Sequence, residues 1–289
     1  MSYLYRPSPS VIFRTTAELD EAYDVEGSVE SFEKYIEFFD RASEAARAET
    51  ENTLDIPYGH TRAETLDVFH GPPGGPVVFF IHGGYWKSVS SKDESYLGTG
   101  MTRAGATVVV PDYALLPHVT IDEIVRQMRA AFAWTKKHIA EFGGDPDRIV
   151  LAGHSAGAHL AVRVLQTDWA DYGIAADPIV GACAMSGLYD LRPLPYTSMQ
   201  TEFRFTADQV LRNSPMLGLP EAAPHLLVSY GELQPPEFLR QSRDFFEAWR
   251  GAGLSGECWA RPGLDHFNEL ADFLDPESEL VRRVLRLAG

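Results

Sequence analysis

Arg148-Ile149-Val150-Leu151-Ala152-Gly153-His154-Ser155-Ala156-Gly157-Ala158-His159-Leu160 is the stretch on which the reading of this chain turns. Its first five residues are a run of strand character, apolar from Ile149 onward, and Ala158–Leu165 has helical character. Between them stands Gly-x-Ser-x-Gly. Alone that pattern is weak, since it arises by chance in roughly one chain in ten of this length. Strand, tight turn and helix in succession are what a nucleophile elbow needs. Glycines flank the serine because the turn is too tight for side chains to pass, and its strain lifts the hydroxyl clear of the sheet. The helix N-terminus adds a positive dipole end where an oxyanion would develop. Ser155 is the expected nucleophile.

Outward from the elbow, short apolar runs alternate with helical patterns. Leu66–Phe69, Val77–Ile81, Thr107–Val110, Ile149–Ala152, Ile179–Met185, Leu226–Ser229 and Glu257–Ala260 read as strands. Several are uninterrupted Val, Ile, Leu and Phe, as in strands covered on both faces. Ile121–Phe142 reads as an amphipathic helix, with Thr120 as N-cap and Glu123 completing a capping box. Another should begin at Pro235-Pro236, with Phe238, Leu239, Ser242, Phe245, Phe246 and Trp249 as its stripe. The alternation predicts an α/β fold, a mostly parallel sheet flanked by helices. Residues 1–289 read as a single domain. Residues 1–60 form an N-terminal helical extension, in which Phe32, Tyr35, Ile36 and Phe39 recur at helical spacing and which could lie over the site. The polar, proline-containing segment 191–222 breaks the rhythm and is a candidate cap.

His82-Gly83-Gly84-Tyr85-Trp86 follows the strand Val77–Ile81, where a second loop would complete an oxyanion hole. The expected donors are the amides of Gly84 and Tyr85, with Gly83 and with Ala156 from the elbow. His82 is expected to tie the loop down. Tyr85 and Trp86 are candidate substrate contacts, plain packing being the equal alternative. The base should come last in the chain, and His266 stands at a strand end in that order. For the acid, Glu232 after Leu226–Ser229 is preferred, with Asp190 and Glu237 as alternatives. Asp112 precedes the serine and Asp265 adjoins His266, so both read as structural.

With these motifs together, the sequence resembles the arylformamidase (kynurenine formamidase) group, on the hormone-sensitive-lipase side of the α/β-hydrolases. The resemblance rests on His82–Trp86, on Gly153–Leu160 and on Ser-Gly-Leu-Tyr-Asp-Leu at 186–191. Pro-Glu-Phe-Leu-Arg-Gln-Ser at 236–242, Asp265-His266-Phe267, Ile56–Gly59 and Leu66–Val68 fit as well. It implies an α/β-hydrolase fold and hydrolysis of an aryl formamide such as N-formylkynurenine through an acyl-enzyme. One position departs: where the family usually places its acid, this chain has Gln234. Glutamine can accept a hydrogen bond from the base but supplies no charge. A carboxylesterase or amidase acting on small acyl esters is the alternative, and a non-catalytic ligand-binding homologue a third reading.

Composition narrows the partners. The 289 residues carry a formal charge of −16, which argues against nucleic acid or anionic membrane and reads as a solvated surface. No stretch is apolar enough to span a bilayer, and the N-terminus lacks a signal-peptide core, so a cytoplasmic location is expected. Cys183 and Cys258 are too few for a disulfide framework, and Cys183 reads as a buried thiol. There is no metal-ligand spacing and no phosphate loop, so neither metal nor cofactor is expected. His154 and His159 read as packing around the elbow. The expected partner is a small-molecule substrate, with a homodimer left open.

Overall fold

The apolar runs assemble into one eight-stranded sheet because each has two faces to bury. In chain order the strands of the computed structural model are β1 (Tyr5–Ser8), β2 (Val11–Phe13), β3 (Asn52–Pro57), β4 (Thr65–Phe69), β5 (Gly75–Ile81), β6 (Thr107–Pro111), β7 (Gly144–His154), β8 (Gly181–Met185), β9 (His225–Gly231) and β10 (Gly256–Arg261). The structure describes residues 3–8, 11–175 and 177–289. In the large sheet the order is β10-β9-β8-β7-β5-β6-β4-β3. Neighbours from β10 to β6 run parallel, whereas β4 is antiparallel to both β6 and β3. All seven strands expected from the sequence are present, and the fold is a mostly parallel sheet with helices on both sides.

Alternation along the central strands divides the core. Phe79, Ile81, Leu151, Ala184 and Val228 face one side, while Phe80, Val150, Ala152, Met185 and Leu227 face the other. The first side is covered by helices whose places follow from their apolar stripes. These are α1 (Thr16–Tyr23), α4 (Ile121–His138), α5 (Ala156–Leu165) and α8 (Pro236–Gly251). The second side is covered by α2 (Phe32–Glu49), α3 (Leu97–Arg103), α9 (Glu279–Arg286) and a 3-10 turn at Asn268–Leu274.

Local expectations mostly hold, with instructive differences. The Thr120 hydroxyl accepts from the Glu123 amide, but the Glu123 carboxylate binds Arg126 and Gln127 instead of closing the capping box. The helix expected over Ile121–Phe142 ends at His138 and tightens to 3-10 over Ile139–Phe142. In α8, Phe238, Ser242, Phe245 and Trp249 are buried as expected, together with Glu237 and Gln241. The N-terminal extension is not purely helical: it carries the β1–β2 pair, and β3 joins the main sheet as its edge. Residues 1, 2, 9 and 10 of that extension lie outside the described residues. Ile36, expected on the buried face of α2, is 44% exposed. The candidate cap folds into short helices, α6 (Gln200–Phe203) and α7 (Ala207–Asn213), with α7 packed on α4. Cys183 is buried, and both cysteines are free thiols. Among the described residues, no helix is long and apolar enough to cross a membrane.

Candidate active site

Ser155 sits between the end of β7 and the first residue of α5 with φ 56° and ψ −122°. A non-glycine residue held there stores roughly 1–3 kcal/mol of strain. Two close approaches sustain it. A Cβ on Gly157 would lie 2.0 Å from the carbonyl oxygen of Ile81 at the end of β5, and one on Gly153 would lie 2.4 Å from that of Gly157. The glycines are therefore demanded by crowding of backbone on backbone. The Ser155 amide donates to Met185 O on β8, while its hydroxyl does not cap the helix and has no hydrogen-bond partner among the described residues.

The loop after β5 comes up against the serine. A Cβ on Gly83 would lie 3.2 Å from Ser155 Cβ and 3.1 Å from the His154 carbonyl oxygen. Gly84, Tyr85 and Trp86 follow with φ of 85°, 50° and 58°. The backbone N–H groups of Gly83, Gly84 and Tyr85 take no backbone or side-chain partner among the described residues. Ala156 opens α5, so its N–H has no intrahelical acceptor. His82 secures the loop: its buried ring stacks on Tyr113 at 4.1 Å, and Tyr113 Oη donates to the carbonyls of His82 and Gly83. Burial holds the His82 pKa below the ordinary histidine value, so the ring is neutral.

The two aromatic residues part company. Trp86 has no exposed surface; it packs on Phe203 and Phe205 and donates from Nε1 to His159 Nδ1 at 3.2 Å. Of its two equal readings, substrate contact and plain packing, the first is corrected: the ring is buried in the core. His159 Nε2 donates in turn to Asn213 O at 2.7 Å, and burial lowers its pKa to about 3, consistent with packing around the elbow. Tyr85 remains at the edge of a cleft of about 520 Å³ shared with Tyr23, Lys87 and Met199, its hydroxyl donating to Tyr23 O.

His266 lies 4.5 Å ring to ring from His154, the residue before Ser155. Burial, and secondarily the neighbouring His154, hold its pKa well below the ordinary histidine value. A neutral imidazole is what a general base must offer. Its Nδ1 meets Gln234 Oε1 at 3.0 Å, and Gln234 Nε2 approaches Ser186 Oγ at 2.5 Å and Glu269 Oε1 at 3.1 Å. The amide orientation follows from chemistry: flipped, its oxygen would face a carboxylate. Nδ1–H therefore donates to Gln234, and Nε2 keeps the lone pair.

None of the three expected acids reaches His266. Glu232 is exposed, because β9 ends at Gly231 and the chain turns outward there. Asp190 is buried, but pairs with Arg192 and accepts from Tyr5 Oη. Glu237 is held by Arg240 and Tyr23 Oη. The position at which the resemblance implies an acid does face His266, and there the residue is Gln234. The expected structural roles of the other two acids fit: Asp112 accepts from Ser91, and Asp265 caps the amides of Phe267 and Asn268. Sequence reasoning passed over Glu269, which lies among acidic residues that read as surface; its distance of three residues from His266 was the available signal.

Glu269 is fully buried, and three donors converge on its Oε1: His154 Nε2, Ser186 Oγ and Gln234 Nε2. His154, His266 and Glu269 each offer a ligand atom within 4.8 Å of the others. Within this cluster His154 and Glu269 hydrogen-bond each other, while Glu269 Oε2 has no hydrogen-bond partner among the described residues and faces the Arg261 guanidinium at 3.7 Å.

The N-terminal extension covers this machinery. Tyr23 Oη donates to Glu237 and accepts from Gln241, Tyr35 donates to Asp265, and the rings of Phe32 and Tyr35 lie on Phe267 beside the base. Ser155 and His266 are only 4% and 2% exposed.

A profile of the alpha/beta hydrolase fold matches residues 78–227. The chain is 33% identical over 255 residues to a kynurenine formamidase of Danio rerio, spanning 86% of this chain and 85% of the relative. It is 32% identical over 247 residues to esterase LipQ of Mycobacterium tuberculosis, spanning 76% of this chain and 58% of the relative. Among solved structures, a candidate thioesterase from Silicibacter sp. TM1040 superposes with a TM-score of 0.79 at 32% identity, covering 92% of this chain and 98% of that one.

Proposed function

Because the chain belongs to the arylformamidase-like α/β-hydrolases, we propose that it hydrolyses a small aryl formamide such as N-formylkynurenine, with Ser155 as nucleophile and His266 as general base. His266 Nε2 takes the Ser155 proton as Oγ attacks the formyl carbon, while Nδ1–H stays on Gln234. The amides of Gly83, Gly84, Tyr85 and Ala156 receive the oxyanion. The C–N bond then breaks, with the His266 proton going to the departing aniline nitrogen. Water, deprotonated by the same base, attacks the formyl ester and returns the free serine. The extended likeness to a kynurenine formamidase carries this reading. The narrow site supports it, since formyl is the smallest acyl group and the two reacting residues are almost covered.

A carboxylesterase is the second reading, favoured by the likeness to LipQ. The chemistry would be the same, so relative rates decide. Comparing kcat/KM on N-formylkynurenine and p-nitrophenyl acetate, we expect preference for the formamide and loss of both activities in Ser155→Ala. An ester preference by orders of magnitude would replace the substrate assignment, and full activity in Ser155→Ala would remove the serine mechanism.

A further inference from the structure

A neutral amide stands where an imidazolium ion must form. Gln234 orients His266 but brings no charge, and losing the charge beside a catalytic histidine can lower turnover by several orders of magnitude. Directly behind the amide is a buried carboxylate. Glu269 Oε1 lies 3.1 Å from Gln234 Nε2 and also takes hydrogen bonds from His154 Nε2 and Ser186 Oγ. Three donors on one oxygen is the pattern of a carboxylate, an acceptor without a proton to give. The guanidinium of Arg261 stands 3.7 Å from Oε2 and donates to the Glu269 carbonyl oxygen at 2.8 Å, anchoring the residue. The polarity runs one way, from imidazole N–H to amide oxygen and from amide N–H to carboxylate.

We propose that Glu269 is a positioning residue that supplies through Gln234 the negative charge a triad acid would place directly on His266, completing a chain Ser155–His266–Gln234–Glu269. The proposal rests on the serine-hydrolase reading above. No proton travels to Glu269, because an amide would have to become an imidic acid to pass one on. The proton taken from Ser155 stays on His266 Nε2 until the leaving group claims it. Glu269 acts by its field and by fixing the amide, which polarises toward the imidazolium as that ion forms. With nitrogen and carboxylate oxygen within 4.8 Å, an unopposed unit charge at an effective dielectric of about 20 is worth a factor of roughly 300 in the stability of the ion, part of which the Arg261 guanidinium 3.7 Å from Oε2 cancels. The ion is only partly formed in the transition state, so about a hundredfold should be lost with the charge, in kcat rather than KM.

The test is a charge swap. Wild type, Glu269→Gln, the double variant Gln234→Glu/Glu269→Gln and Ser155→Ala are compared by kcat and KM on p-nitrophenyl acetate, by the rate of fluorophosphonate labelling and by Tm. We expect Glu269→Gln to lose about a hundredfold in kcat and in labelling rate. The double variant, with one charge restored in direct contact with His266 Nδ1, should recover to within about tenfold of wild type. A purely structural carboxylate would not be rescued by moving its charge one residue nearer the base. Should Glu269→Gln fail to fold, the double variant decides alone: folded and active supports the proposal, folded and inactive overturns it. Failure of both to fold would make Glu269 structural and also overturns it, as would folded Glu269→Gln within about threefold of wild type. If wild type is not labelled, or Ser155→Ala keeps full activity, the serine-hydrolase reading has failed; labelled wild type with an indifferent Glu269→Gln fails this inference alone.

Discussion

Gln234→Glu is the perturbation that separates a charge next to the base from a charge one residue behind it. It puts a carboxyl oxygen 3.0 Å from His266 Nδ1, where the family's acid would be, and at the same time 3.1 Å from Glu269 Oε1. Two unit charges at that separation and an effective dielectric of about 20 repel by about 5 kcal/mol. That repulsion disfavours a second negative charge beside Glu269, so the pair shares one proton and carries the same single negative charge as wild type. Restoring the acid should consequently give no gain: kcat/KM on p-nitrophenyl acetate is expected within about threefold of wild type at neutral pH, rising toward alkaline pH as the shared proton leaves. Stability should move the other way. The folded variant keeps a proton that the unfolded chain releases in the ordinary carboxylate range, so its stability relative to wild type is present at low pH and lost as pH rises. Rate–pH profiles from pH 6 to 9.5, with Tm at each pH, read both effects. A pH-independent gain of tenfold or more would refute the reasoning, because it would mean that Glu269 carries no charge where the amide meets it.

Two further outcomes follow from particular contacts. Glu94 is 7% exposed, its Oε2 has no hydrogen-bond partner among the described residues, and burial raises its pKa to about 7. Ionising it in the folded protein works against stability as pH rises from about 4.3 to 7, by about 3 kcal/mol at the upper end. Glu94→Gln should accordingly raise Tm more at pH 8 than at pH 5.5 in parallel melts, and an equal gain at both would contradict a titrating origin. Gly157→Ala drives a methyl group to 2.0 Å from Ile81 O, a backbone atom that cannot yield. A loss of about 3 kcal/mol or more, read as a Tm drop of roughly 6 °C together with slowed fluorophosphonate labelling, is expected. Unchanged labelling would show that the elbow can open without disturbing Ser155.

What the sequence by itself determined is what neighbouring residues decide. The turn at Gly153–Gly157 was legible because strand, glycines, serine and helix are contiguous, and each local preference agrees with the next. The strands were legible because a run buried on both faces must be apolar throughout, and His266 stood out as a candidate base because it follows the serine in the chain at a strand end. The N-terminal strand β3 was not, since an edge strand with alternating exposure and a terminal proline lacks that signature. Nor was the source of charge at the base. Local reading placed the acid in the loop after β9, yet Glu232 faces outward there while Asp190 and Glu237 spend their charge on Arg192 and Arg240. Glu269 stands three residues from His266, but its surroundings are decided by Gln234 just before α8, Ser186 just after β8 and His154 at the end of β7. Only the sheet, by bringing the C-terminal ends of three parallel strands to one place, makes those residues neighbours. A carboxylate's value there depends on distances of 3–5 Å and on exclusion of water, neither of which is written in the order of residues along the chain.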